Sequence, residues 1–208
     1  ILALQTDSRG VTAVLFDHPK AGAANYVGCA TVAASNEPGL VADALKAALP
    51  GLRGGRIEVH VALGPEEARV RRLPVPSAPP EELPAIVAMQ AAREAAQDAE
   101  EIVADFLPPA DGTGETFIAW ADRSTIVFWE EVATKLGGKL AVVTPRPLAT
   151  LSLVGAEDAS VVVSRAGDSI DFAAAASGSP VLFRSTHLGD GGESVARREL
   201  SRTLLSLP

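Results

Sequence analysis

The chain has 208 residues, 47% of them hydrophobic and 21% charged, with a formal net charge of −8. That length suits one large domain or two small ones with a sizeable core, and the composition excludes wholesale disorder. No apolar run approaches the ~18 residues of a membrane span, and 26 acidic against 18 basic residues disfavour phosphate backbones and anionic lipid surfaces as partners.

The sequence opens on Ile1, without an initiator Met and without a basic-then-apolar leader, so it shows no signal peptide, although processing would remove one. Residues 2–5 and 11–16 read as strands divided by a turn, Asp7-Ser8-Arg9-Gly10. A second turn is expected over 18–23, where Pro19 and Gly22 interrupt, and 26–33 is a third strand. Pro38 opens a helix. Leu40, Val41, Ala44, Leu45, Ala48 and Leu49 recur at helical spacing until Pro50-Gly51 stops it. Residues 57–63 alternate Ile57, Val59, Val61 and Leu63 against Glu58, His60 and Ala62, the mark of a half-buried strand. After Gly64-Pro65, residues 68–73 form a return strand whose Arg69, Arg71 and Arg72 read as a solvated face. Prolines at 74, 76, 79 and 80 lead into a helix near 81–97, with Leu83, Ile86, Val87 and Ala91 on its buried side. Strands at 102–107 and 116–121 follow, joined by a loop rich in Pro and Gly. Next come a helix over 124–136, apolar at Val127, Trp129, Val132, Ala133 and Leu136, a short strand at 140–143 and a connecting helix over 145–153. Strands at 160–163 and 170–176 flank Ser164-Arg165-Ala166-Gly167-Asp168. A hairpin turn at 177–180, a strand at 181–186 and a helix opened by Gly189-Asp190-Gly191-Gly192 complete the chain.

Little of this is catalytic in type. Cys29 is the only cysteine, so no disulfide forms within the chain and no cysteine-based zinc site exists. It lies in an apolar stretch and reads as a buried, inert thiol. His18, His60 and His187 stand far apart, without metal-ligand spacing. There is no G-x-S-x-G elbow, and Gly137-Gly138-Lys139 lacks the earlier Gly and following Ser/Thr of a P-loop. Gly137 reads as a helix C-cap.

The order strand, turn, strand, turn, strand, helix occurs twice. Its first turns share Ser8-Arg9-Gly10 and Ser164-Arg165-Ala166-Gly167, each followed by a β-run reaching a Phe, with the serines 156 residues apart. A repeat of that size implies a duplicated fold.

A duplicated meander plus helix with an inserted α/β unit resembles the actin/Hsp70/sugar-kinase superfamily. Within it, Val61-Ala62-Leu63-Gly64, the run from Val70 to Pro76 and Glu81-Glu82-Leu83 resemble PilM-type pilus-assembly proteins. So do Asp105-Phe106-Leu107, Leu136 through Leu140, Pro147 through Leu151, and Phe183 through Gly192. The match covers most of the chain as a series of weak motifs in the right order. It implies an α/β (α+β) fold in which 1–52 is the first actin-like half, 57–143 an inserted ferredoxin-like subdomain, and 144–208 a linker helix and the start of the second half.

The same resemblance implies a nucleotide cleft, held in binding members by an Asp-x-Gly turn in each half. The corresponding positions here are Asp7, Ser8 and Gly10 in the first half and Ser164, Arg165 and Gly167 in the second, with Gly189, Gly191 and Gly192 beyond. Aligned to that pattern, Gln5 and Ser164 stand where carboxylates are expected, with Asp7 and Asp168 displaced. A frame shifted by two would restore Asp7. Loss of both carboxylates removes the charge that holds Mg²⁺. The 189–192 turn reads as a hairpin exit needing positive φ, although a helix N-terminus can also receive an anion. The sequence also ends before the adenosine-contacting segment expected of the superfamily, so the chain is a fragment or a lineage lacking it.

The expected function is therefore that of a non-catalytic cytoplasmic scaffold of a type IV pilus or type II secretion platform, without metal or cofactor. By resemblance it docks the cytoplasmic tail of an inner-membrane partner near 11–33 and 57–73, where the acidic surface suits a basic tail. The alternative is an ATPase or small-molecule kinase using Mg-ATP. A third reading, two unrelated ferredoxin-like units, makes the repeat a coincidence.

Overall fold

The computed structural model describes residues 1–17, 24–52, 57–108, 114–152 and 159–205. The turn expected at 18–23, most of the loop before residue 114 and the end of the connecting helix lie outside these residues. Contacts divide the chain into two compact units, Ile1–Pro65 with Trp129–Pro208, and Glu66–Phe128.

In the first unit, β1 (Leu2–Asp7), β2 (Gly10–Asp17) and β3 (Asn25–Ala33) form an antiparallel meander, followed by α1 (Pro38–Ala48). Strand β4 (Ile57–Leu63) joins β1 in parallel, and β8 (Gly138–Pro145) joins β4 in parallel, giving the order β3-β2-β1-β4-β8. Alternation sets the buried face. Leu2, Leu4 and Thr6 are buried on β1, Val11, Ala13 and Leu15 on β2, and Val59, Val61 and Leu63 on β4. Gly10 is required at the first hairpin, because a Cβ there would stand 2.1 Å from the Val32 carbonyl oxygen.

The second meander consists of β9 (Ser160–Ala166), β10 (Ser169–Ala176) and β11 (Ser179–His187). A 3-10 turn at Gly189–Gly191 follows, then α5 (Gly192–Leu205). It repeats the first meander down to an irregularity late in the middle strand, at Leu15/Phe16 and at Ala174/Ala175. Ile170, Phe172 and Leu188 form its core against Leu182, Val195, Ala196 and Leu200. Gly189 and Gly192 do take positive φ, at 51° and 44°. α4 (Arg146–Leu151) connects the two repeats.

On α5, Glu199 is buried beside Arg202, Arg198 and Arg184. These arginines, Arg202 foremost, hold its carboxyl below the ordinary 4.5 against the opposing effect of burial. A depressed carboxyl stabilises the fold above its unfolded-state pKa and loses that contribution as pH falls through the folded value. Glu199→Gln is thus expected to flatten the acid side of a stability-against-pH profile below about pH 4.5, with the neutral side parallel to wild type. An unchanged acid limb in urea melts would contradict it.

The second unit holds β5 (Ala68–Pro74), α2 (Leu83–Ala95), β6 (Ile102–Phe106) and β7 (Glu115–Asp122), with sheet order β5-β7-β6, all antiparallel. Val87, Ala91 and Ala92 of α2 pack with Ile102, Ile118, Trp120 and Val75. α3 (Arg123–Lys135) runs across the boundary between the units.

These boundaries correct the expected 57–143 insertion. Residues 57–63 and 138–145 belong to the first sheet, because β4 pairs with β1 through Leu2↔Val59 and Leu4↔Val61. The inserted unit therefore spans 66–128 and keeps three strands and one complete helix. The linker boundary at 144 moves too, since β8 extends to Pro145. Cys29 is also corrected. It is exposed, because β3 is an edge strand whose side chains alternate into solvent. On α1, Val41, Ala42 and Leu45 are buried, whereas Leu40 is 56% exposed.

Candidate functional site

The two first turns of the repeats meet. Arg9 of the β1–β2 turn donates from a guanidinium nitrogen to Asp168 Oδ1 at 3.2 Å. The Asp168 backbone N–H donates to Ser8 Oγ at 3.3 Å, and the Arg9 backbone N–H donates to Asp7 Oδ1 at 2.7 Å. Gly167, at φ 54°, lies so close that a Cβ would stand 2.9 Å from Ser8 Oγ and 3.0 Å from Asp7 Oδ1. Leu188, just before Gly189, donates its N–H to the Asp168 carbonyl at 2.7 Å. Asp7, Ser8, Gly167 and the start of the 189–192 turn are thus brought together.

Other expected members stand apart in role. Gly10 serves the hairpin. Gln5 pairs with Thr12 and Ala62 inside the sheet. Ser164 pairs with Asp171, and among the described residues its buried hydroxyl has no hydrogen-bond partner. Arg165 bends back, its Nε donating to the Gly167 carbonyl at 3.4 Å. Gly191 packs against its own helix, where a Cβ would stand 2.4 Å from Val195 Cγ2. Gly192 opens α5. The arginine that bridges the turns is Arg9, which the sequence reading passed over in favour of Arg165.

Behind the turns lies a buried polar cluster that local patterns did not reveal. Arg146, 2% exposed at the start of α4, donates to the Asp171 carboxylate on β10, itself 1% exposed. Its other nitrogens donate to the Thr6 carbonyl at 3.0 Å and to Ser169 Oγ at 2.5 Å. Ser185 donates to the remaining Asp171 oxygen at 2.6 Å, and Ser169 donates to the Ala166 carbonyl at 3.0 Å. One guanidinium therefore ties the end of β1 to β10, the middle strand of the second repeat. Its charge is matched by a carboxylate and its donors are shared among three acceptors, which makes a buried ion pair tolerable.

At the other end of the first sheet lies a half-open hollow of about 760 Å³, lined by Ile1, Phe16, Asp17, Ile57, Glu58 and the 137–139 segment. Lys139 pairs with Glu58 at 3.0 Å and holds its carboxyl below the ordinary value. Phe16 stands opposite Tyr26 of β3, which is 62% exposed. Val27 beside it is 49% exposed. Phe16 and Tyr26 thus carry apolar surface from the hollow toward the β3 edge, with Asp17 beside Phe16, while Val27 sits at the register irregularity, where its Cγ1 and Leu15 Cδ2 flank Gly51. Among the described residues no group of three or more His, Cys, Asp or Glu side chains is placed to hold a metal ion. No helix among the described residues is long and apolar enough to cross a membrane.

No protein-family model matches the chain, and no curated protein sequence does. Solved structures do. A chain of a PilM-PilN type IV pilus biogenesis complex superposes with a TM-score of 0.73 at 18% identity, over 98% of this chain and 69% of that one. The cytoplasmic domain of EpsL, an inner-membrane component of the type II secretion system of Vibrio cholerae, gives 0.64 at 14%, over 89% and 70%. A protein of unknown function with an actin-like ATPase fold from Bacteroides thetaiotaomicron gives 0.59 at 14%, over 100% and 77%. The chain has the actin-like ATPase fold.

Proposed function

We propose that this chain is a non-catalytic, cytoplasmic platform component of a type IV pilus or type II secretion apparatus, held at the inner membrane by docking a partner's cytoplasmic tail. The observation that carries this reading is the bridge between the two turns. In nucleotide-binding members of the resembled superfamily, those turns hold Mg-phosphate. Here Asp168 is engaged by Arg9 and Ser8, and Asp7 by the Arg9 N–H. A divalent ion arriving there meets carboxylates already in use and a guanidinium that repels it. The likeness to a chain of a PilM-PilN complex and to a cytoplasmic domain of a secretion component supports the apparatus. The hollow and the β3 edge supply a surface within one unit: Phe16 and Tyr26 for apolar side chains, Asp17 for a cation.

Calorimetry with Mg-ATP at low salt separates this from the ATPase reading. The expected result is no saturable heat up to about 1 mM nucleotide, where binding is worth about 4 kcal/mol. A dissociation constant below about 10 μM, near 7 kcal/mol, would overturn the platform reading and restore an enzyme.

A further inference from the structure

We infer that the free edge of β5 is a docking strand for an extended acidic segment of a partner protein, with carboxylates on alternate residues facing Arg69 and Arg71. This does not rest on the tail-docking reading, whose proposed surface, the hollow and the β3 edge, lies in the other unit and takes a basic partner; of the span expected for the tail, only 68–73 reaches β5.

Strand β5 is the outer strand of its sheet, paired on one side with β7. In register, Arg69 stands opposite Trp120, Arg71 opposite Ile118 and Leu73 opposite Thr116. Ile118 and Trp120 belong to the core under α2, so both arginines lie on the α2 side of the sheet. The helix packs on β6 and β7, which leaves that side of β5 open and both arginines exposed. Among the described residues neither arginine has an ion-pair partner. Arg72, on the reverse face, is matched by Glu115 at 3.0 Å. In a chain with net charge −8, two adjacent unmatched guanidiniums on an open strand edge favour an anionic partner.

The spacing sets the form of that partner. Alternate residues of a strand lie about 6.7 Å apart on one face. An added fourth strand would place its residues i and i+2 beside Arg69 and Arg71, and the residue between them beside half-buried Val70. Backbone hydrogen bonds along the edge would supply affinity, and guanidinium forks on two carboxylates would fix register. The recognised pattern is therefore carboxylate, apolar, carboxylate. Charge on an edge strand also deters aggregation, but that role asks for charge alone and predicts no selective ligand.

The test uses the whole chain and three fluorescent probes: a heptapeptide alternating Val and Glu, its Val/Lys counterpart, and a single-stranded oligonucleotide. Anisotropy should show saturable binding of the Val/Glu peptide, weakened by salt, and of the three probes it alone should shift amides in NMR at 68–74 and its neighbours on β7. Arg69→Glu/Arg71→Glu should weaken it at least tenfold, and Arg72→Gln by no more than twofold. If charge reversal disturbs the fold by circular dichroism, Arg69→Gln/Arg71→Gln should give a loss of at least fivefold. No binding up to about 1 mM, equal binding of the Val/Lys peptide with the same amide shifts at 68–74, tighter binding of the oligonucleotide there, or a self-association that occupies the edge would each overturn the proposal.

Discussion

Arg146→Met is expected to lower the free energy of unfolding by about 3–5 kcal/mol, the range for breaking a buried ion pair from one side. The loss has two sources. Asp171, 1% exposed, is left as a buried carboxylate without its cation, and the Thr6 carbonyl loses its guanidinium donor. The residual partners of Asp171 are too few to compensate, since Ser185 reaches only one oxygen. Replacing both members, Arg146→Met with Asp171→Leu, should recover much of the loss, because a well-packed apolar pair often equals a buried ion pair. Denaturant melts of the two singles and the double supply the cycle. A single-mutant loss below about 1 kcal/mol would mean that the cluster is hydrated and does not join the repeats as described.

Trp129→Ala is expected to cost about 3–5 kcal/mol, the range for truncating a large buried aromatic. Trp129 is 1% exposed, and Val132, Ala133 and Leu136 are buried on the same side of α3. The removed ring leaves a void that a close-packed interior fills poorly. Val127, 44% exposed, offers the contrast on the same helix. Val127→Ala should change stability by less than about 0.5 kcal/mol, as surface substitutions do. Equal effects at the two positions would put the helix face in the wrong place.

The architecture was largely legible because it is written in local patterns. Alternation at 57–63 gave the strand and its buried face correctly, and the repeated Ser-Arg…Gly turns gave the duplication. What alternation does not encode is which sheet a strand joins. β4 reaches β1 across the chain through a parallel pairing, so the apparent lobe at 57–143 lost both its end strands. Cys29 misled for a related reason. Its stretch is apolar, but an edge strand keeps one face open whatever its composition. On α1, six apolar positions were too many for one stripe, and Leu40 fell outside it. The Arg146 cluster left no local signal. Arg146 sits between two prolines as an ordinary helix start, and its partners lie 25 and 140 residues away. Asp171 hides in an otherwise apolar β-run as a lone carboxylate. The bridge at the turns was half visible. The shared Ser-Arg…Gly pattern singles out the two turns that touch, but only tertiary contact selects Arg9 over Arg165 as their bridge.

The most direct measurement is a fluorescence titration of the full chain against a labelled peptide of the cytoplasmic tail of the proposed inner-membrane partner. The account predicts saturable binding in the micromolar range, about 8 kcal/mol. It also predicts a loss of at least tenfold in Tyr26→Lys, a change at an exposed position that leaves the core intact. No saturation at about 1 mM peptide, or binding that Tyr26→Lys leaves untouched, would contradict it.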